Sequence, residues 1–173
     1  FTINDKHKIL IKNSYIPHFQ TIEYNTLNGG IARYFSEIEK NTIENPVFKN
    51  LLQFAYLTFS EIKTENWFIE AHQFRIKAQV NDIGKPTPEG IHRDGVDFVL
   101  MAIINRHNIK GGMTKIYDLN KNLKTEFMLE NFLDVALVDD HQVYHSVTEI
   151  QVDDSIQSNT GLRDVLVITF KKA

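Results

Sequence analysis

At 173 residues, 42% hydrophobic and 24% charged, the chain has the size and composition of a single folded domain over 1–173, not of a disordered tail. Its 19 basic and 22 acidic residues leave a formal charge of −3, a poor match to a polyanion, so no nucleic-acid partner is expected. Cysteine is absent and seven histidines are present, which excludes disulfides, thiolate metal sites and a cysteine nucleophile, and leaves nitrogen and oxygen as metal donors.

His7 to Ile16 is rich in β-branched residues and reads as a strand running into Pro17. Asn28-Gly29-Gly30 is a turn, and Ile31 to Glu39 has weak helical spacing. The clearest helix spans Asn45 to Ile62. Asn45 is placed to cap it, and Pro46 takes the first helical position, where its missing N–H costs nothing. Val47, Leu51, Phe54, Ala55 and Leu57 give the expected apolar stripe. After Asn66 the pattern turns to strands. Trp67 to Gln79 is a long one, Val80 to Gly90 is a loop, and Val96 to Asn105 is apolar enough to be a central strand covered on both faces. Gly111-Gly112 reads as a hairpin turn. Further strands are expected over Thr114–Leu119, Leu123–Leu129, Asp134–Val138, Val143–Ile150 and Leu162–Lys171. A helical block followed by many short strands defines an α+β chain with an all-β centre, a sandwich, barrel or jelly roll. The longest apolar run, Phe98 to Ile104, is far below the roughly 20 residues that cross a bilayer, so no membrane partner is expected. No leader is visible at the N-terminus, and the expected location is cytoplasmic.

Three segments carry chemistry. In His92-Arg93-Asp94, an extended backbone sends the imidazole and the carboxylate to one face and Arg93 to the other. Two histidines and one carboxylate with open positions suit a non-haem Fe(II) oxygenase, but His-x-Asp alone is a common pair. His145 shares a strand face with Val143 and Val147, which equally fits a satisfied core histidine. Arg163 opens an apolar strand, where burial demands a partner, either an internal carboxylate or that of a small molecule. His141 and His145 are four apart, as in a helical zinc protease, but Gln142 stands where a catalytic Glu is required and the segment is β-branched.

Pro88 to Gly95, Asn105-Arg106, Gly111-Gly112, Tyr144 to Val147 and Leu162 to Phe170 together resemble the 2-oxoglutarate/Fe(II) dioxygenases of the bacterial free-amino-acid hydroxylase type, a group that includes isoleucine 4-hydroxylases and BsmA-like proteins. His72-Gln73-Phe74-Arg75 is similar to a segment found upstream of the metal motif there, and the likeness extends over roughly residues 15 to 171. The resemblance implies a double-stranded β-helix (jelly-roll, cupin-like) core with N-terminal helices packed on one side. It implies His92, Asp94 and His145 as Fe(II) ligands and Arg163 as the anchor for the far carboxylate of 2-oxoglutarate. O2 is the other co-substrate, and succinate and CO2 are the products besides the hydroxylated substrate. Many members carry Ser two residues after the arginine. Val165 stands there in this chain, so the second hydrogen bond to the co-substrate is expected from elsewhere, with Thr169 or a residue on the strands after Trp67 as candidates. A free amino acid needs a cation for its carboxylate and an acceptor for its ammonium. Arg75 is the candidate cation, Gln73 lies beside it, and Asp97 or Glu89 is the candidate acceptor. No catalytic residue is expected beyond the metal ligands. Two other readings stay open: a non-catalytic jelly-roll sensor of metal and 2-oxoglutarate, and an oxygenase acting on a protein side chain.

Overall fold

The computed structural model describes residues 1–4, 9–25, 27–155 and 158–173. Strands β1 (Thr2–Asn4) and β2 (Ile9–Ile11) open the chain, followed by helices α1 (Lys40–Glu44) and α2 (Pro46–Ile62). Nine strands come next: β3 (Trp67–Gln79), β4 (Phe98–His107), β5 (Ile109–Gly111), β6 (Thr114–Tyr117), β7 (Leu123–Phe127), β8 (Val135–Asp139), β9 (Tyr144–Val147), β10 (Ile150–Val152) and β11 (Thr160–Lys172).

Asn45 ends one helix and starts the other. Its backbone N–H donates to Thr42 O, and its side-chain oxygen accepts from Val47 N at 2.8 Å, with Pro46 at the first helical position. The buried stripe of α2 is Phe48, Leu51, Leu52, Ala55, Tyr56 and Phe59. It corrects the sequence expectation, because Val47, Phe54 and Leu57 are exposed. The helix is apolar on more than one side, so periodicity alone did not select the buried one.

The main sheet runs β2-β1-β3-β11-β4-β8, and every pairing in it is antiparallel. Strand alternation gives it two faces. Trp67, Ile69, Phe98, Leu100, Ala102, Leu166, Ile168 and Phe170 turn one way and pack with α2. Val99, Met101 and Ile103 turn the other way, with Leu129, Ala136 and Val138, and meet Ile116 and Phe127 of the smaller sheet β7-β6-β9. β4 is therefore buried on both faces from Phe98 to Ile103, as its continuous apolar run implies.

Three further expectations change. Residues 5–8, with His7, lie outside the described residues, and only Ile9–Ile11 of the expected first strand is paired. Ile31 to Glu39 is not helical: His18 and Arg33 form a β-bridge there, and the helix begins only at Lys40. Gly111 and Gly112 do not close a hairpin, since β5 pairs with β10 while β6 pairs with β7 and β9. At φ +84° and +80° they turn the chain from one sheet to another. A Cβ on Gly111 would lie 2.2 Å from Glu149 O, so no other residue fits there.

Candidate active site

Between the inner face of the main sheet and the β9 side lies a cavity of about 570 Å³. Its walls include His92, Asp94 and His145, the odd-numbered β11 residues Arg163 to Lys171, and Glu70, His72, Phe74 and Ile76 of β3.

Residues 84–92 are held against β9 and β10 at three points. Gly84 bridges Ile150, Thr87 Oγ1 donates to Val147 O and accepts from Val147 N, and His92 and His145 exchange backbone hydrogen bonds of 3.0 and 2.9 Å. The last bridge brings two histidines distant in sequence side by side, with ring centroids 4.4 Å apart. Asp94 stands between them: His145 Nε2 is 3.5 Å and His92 Nε2 3.8 Å from its carboxylate oxygens. Donors bound to one ion at about 2.1 Å lie roughly 3–3.5 Å from each other, so small side-chain movements close this triad on a metal.

The surroundings fit that role. His92 Nδ1 lies 2.9 Å from Gly90 O, so the proton sits on Nδ1 and the Nε2 lone pair faces the triad. Burial holds the His145 imidazole below its usual range, which keeps it neutral and able to donate its lone pair. Asp140, 2% exposed, accepts from the backbone N–H groups of Asp94, Gly95 and Val96 at 3.0, 2.8 and 3.2 Å. It fixes the turn that presents Asp94. Burial raises its pKa, while the N–H donors act the other way. Nothing in the sequence marked it, because its work is done on backbone groups 44 to 46 residues away.

Arg163 is 3% exposed and forms no ion pair with a carboxylate among the described residues; its Nε has no hydrogen-bond partner. Burial, and then Arg106 beside it, bring its pKa down to about 10. Arg106 donates from Nη2 to Gly111 O at 2.9 Å, and its buried Nη1 is unpartnered. Gly112 makes room for both, since a Cβ there would lie 2.9 Å from Arg106 Nη1 and 3.6 Å from the Arg163 side chain. The internal salt bridge that the sequence left open does not form. Arg163 lines the cavity, with the Arg106 guanidinium beside it.

The other expected residues fall elsewhere. Thr169 lines the cavity and is buried, but six residues separate it from Arg163 along β11, about 20 Å at the rise of a strand. One 2-oxoglutarate cannot touch both. Gln73 is not part of the cavity wall and Arg75 borders it, but both stand at odd spacing from His72, which directs their side chains to the helix side of the sheet. Arg75 forms a bidentate pair with Asp164 there, at 2.7 and 2.8 Å. Asp97 is bound by Lys63 Nζ at 2.7 Å and Lys172 N at 2.9 Å, outside the cavity lining. Glu89 does line it, 3.4 Å from His92 Nε2. Arg93 turns away from the ligands and stacks over the Tyr144 ring at 4.9 Å.

Sequence reasoning missed a second group. Among the described residues, His18, Glu70 and His72 bring their donor atoms within 4.8 Å of one another, as only the triad also does. Arg33 lies beside them, donating to Gln20 Oε1 at 2.7 Å. Their only signal was parity: Glu70, His72 and Phe74 share the face of β3 that looks inward.

Comparison with known proteins identifies the family and the fold. The 2OG-Fe dioxygenase family model matches residues 1–169, so the chain belongs to that family. It is 29% identical over 158 residues to the L-isoleucine-4-hydroxylase of Bacillus thuringiensis, covering 88% of this chain and 64% of that protein. Identity to the 3(1)-hydroxy-L-isoleucine 4-dioxygenase of Pantoea ananatis is 28% over 163 residues, 90% of this chain and 64% of that one. The chain thus spans somewhat less than two thirds of these relatives. Among solved structures, a bsmA homolog from Methylobium petroleophilum PM1 superposes with a TM-score of 0.88 at 35% identity, covering 100% of this chain and 69% of that one. The Bacillus thuringiensis IDO structure gives 0.68 at 25% identity, over 80% and 66%. The core is a jelly roll with its helix on one side, and the family is one of iron- and 2-oxoglutarate-dependent enzymes.

Proposed function

We propose that residues 1–173 form one Fe(II)- and 2-oxoglutarate-dependent dioxygenase domain that hydroxylates a small metabolite, a free L-amino acid, with release of succinate and CO2. The observation that carries this reading is a single cavity lined both by three converging nitrogen and oxygen donors and by a buried arginine without an acidic partner.

His92, Asp94 and His145 would hold Fe(II), leaving positions open for the co-substrate and O2. Arg163, with Arg106 beside it, would take the far carboxylate of 2-oxoglutarate through paired hydrogen bonds that lysine cannot make. The bound iron supplies the oxidising chemistry, coupling decarboxylation of 2-oxoglutarate to hydroxylation of a C–H bond. The protein's own residues position and enclose. Gly90 O fixes the His92 tautomer, Asp140 fixes the Asp94 turn, and Val96, Met101, Val165 and Val167 give the cavity apolar walls. The names of the relatives support an amino acid as substrate.

A panel of free amino acids, scored for substrate-dependent succinate, tests the proposal. At least one should give succinate with O2 uptake, and His92→Ala should abolish both. A protein that binds Fe(II) and 2-oxoglutarate but consumes no O2 with any of them is a sensor module, not a hydroxylase.

A further inference from the structure

Glu70 and His72 stand opposite Thr169 and Val167 in the β3–β11 register, whereas Arg163 stands opposite Ile76. They are six and four residues along the sheet from the arginine pair, about 20 and 13 Å at the rise of a strand. This end of the cavity is free when 2-oxoglutarate is held by Arg163. Here His18 Nδ1 lies 3.4 Å from Glu70 Oε1, and the His18 and His72 rings meet edge to face at 4.7 Å. His72 Nε2 is buried without a hydrogen-bond partner, and so is Arg33 Nε. No carboxylate forms an ion pair with Arg33 among the described residues; its Nη2 rests on the neutral amide of Gln20.

The cluster therefore offers two acceptors close together, the Glu70 carboxylate that His18 orients and the unpartnered His72 Nε2, and, next to them, a cation with no acidic partner. A primary ammonium has three N–H donors, and an α-amino acid carries a carboxylate one carbon away. We infer that this end of the cavity binds the zwitterionic backbone of a free α-amino acid, with Glu70, oriented by His18, and His72 receiving the ammonium and Arg33 the carboxylate. The inference rests on the hydroxylase reading and gives its substrate a binding site.

Supporting chemistry runs the same way. Burial pushes the His72 pKa down to about 4, so at neutral pH it is an uncharged acceptor. A second divalent ion, by contrast, would sit against the Arg33 guanidinium. Glu89 has no such cation beside it and borders the metal ligand His92 instead. Gln20 also ties the site to the metal centre, its Oε1 accepting from Arg33 while its Nε2 reaches Asp94 Oδ1 at 3.5 Å. One amide side chain thus separates the carboxylate site from a metal ligand, which places the reacting C–H on the substrate's side chain. The valine and methionine walls between suit an aliphatic one.

The test is anaerobic calorimetry. The twenty common L-amino acids are titrated into protein loaded with Fe(II) and 2-oxoglutarate, and the N-acetyl and α-carboxamide derivatives of each binder follow. Loading is read separately from the visible absorption of the Fe(II)–2-oxoglutarate complex. At least one amino acid should bind, and blocking either end should weaken it about 30-fold, as expected for one lost hydrogen bond to a charged group. Glu70→Gln and Arg33→Gln should show the same loss with the visible band intact. The derivatives are tested on the unaltered protein, so a variant that does not fold leaves the question decidable. Three results overturn the site: no amino acid binds to protein that shows the band, blocked derivatives bind as tightly, or the protein takes up a second metal equivalent that His72→Ala removes. A missing band counts against the hydroxylase reading alone, because calorimetry still reports on amino acids.

Discussion

Arg163 on β11 and Arg106 on β4 are direct cross-strand partners, two guanidinium groups on one face of the sheet. Like charges placed opposite each other destabilise a sheet, and burial adds to the cost. A dianionic co-substrate relieves both. Fe(II)-loaded protein should therefore be stabilised by 2-oxoglutarate. At a hundredfold excess over Kd the linkage is about 2.7 kcal/mol, or roughly 5–10 °C in Tm for a chain of this size. Arg163→Met should abolish the shift in a thermal melt. A variant that keeps the full shift would show that the arginine does not hold the anion.

His72 predicts a pH dependence. Burial, and then His18 beside it, lower its pKa from 6.5 to about 4 in the folded protein. Between those values the unfolded chain binds more protons, so stability rises with pH. The contribution is fully present above about 6.5 and is lost as pH falls towards about 4, with an upper bound of about 3 kcal/mol. Denaturant titrations at pH 7 and pH 5 should show this slope, and His72→Gln should flatten it. Equal slopes in both proteins would assign the pH dependence to other groups.

Asp140 holds the turn that presents Asp94. Its carboxylate takes three backbone N–H groups around Asp94. Asp140→Ala strands those donors and should cost roughly 2–4 kcal/mol in denaturant melts. Metal affinity should fall about 10–100-fold, as for other groups that orient a ligand. Asp140→Asn, which keeps one acceptor, should lose less of both. If the alanine variant binds metal as the parent does, the turn does not depend on Asp140.

The strands and the convergence of His92, Asp94 and His145 were largely legible in the sequence. Trp67–Gln79 begins and ends where expected, and the continuous apolar run of β4 correctly implied burial on both faces. Arg163 could be placed by alternation along β11, and His92 with Asp94 by their two-residue spacing in the segment before β4. The errors came from leaving that rule half used. Arg75 and Gln73 are at odd spacing from His72, and Thr169 is six residues from Arg163, so parity and strand rise already argued against all three. His18 and Arg33 were out of reach. They lie on a segment without periodicity, held by a single bridge to each other and by contacts to β3.

Arg75 provides a control on that correction. It borders the cavity but is exposed, and its guanidinium is taken up by Asp164. Arg75→Ala should leave amino-acid affinity and succinate formation as in the parent. A large rise in KM for the amino acid would return Arg75 to the substrate site.

The central claim is that His92, Asp94, His145 and Arg163 make one iron and 2-oxoglutarate centre. Anaerobic titration of 2-oxoglutarate into the Fe(II)-loaded protein, followed by visible absorption, tests it most directly. The account predicts a weak band that saturates at one equivalent per chain, is absent in Asp94→Ala, and requires far more 2-oxoglutarate in Arg163→Met. No band in the parent protein, or an unchanged titration in the arginine variant, would contradict it.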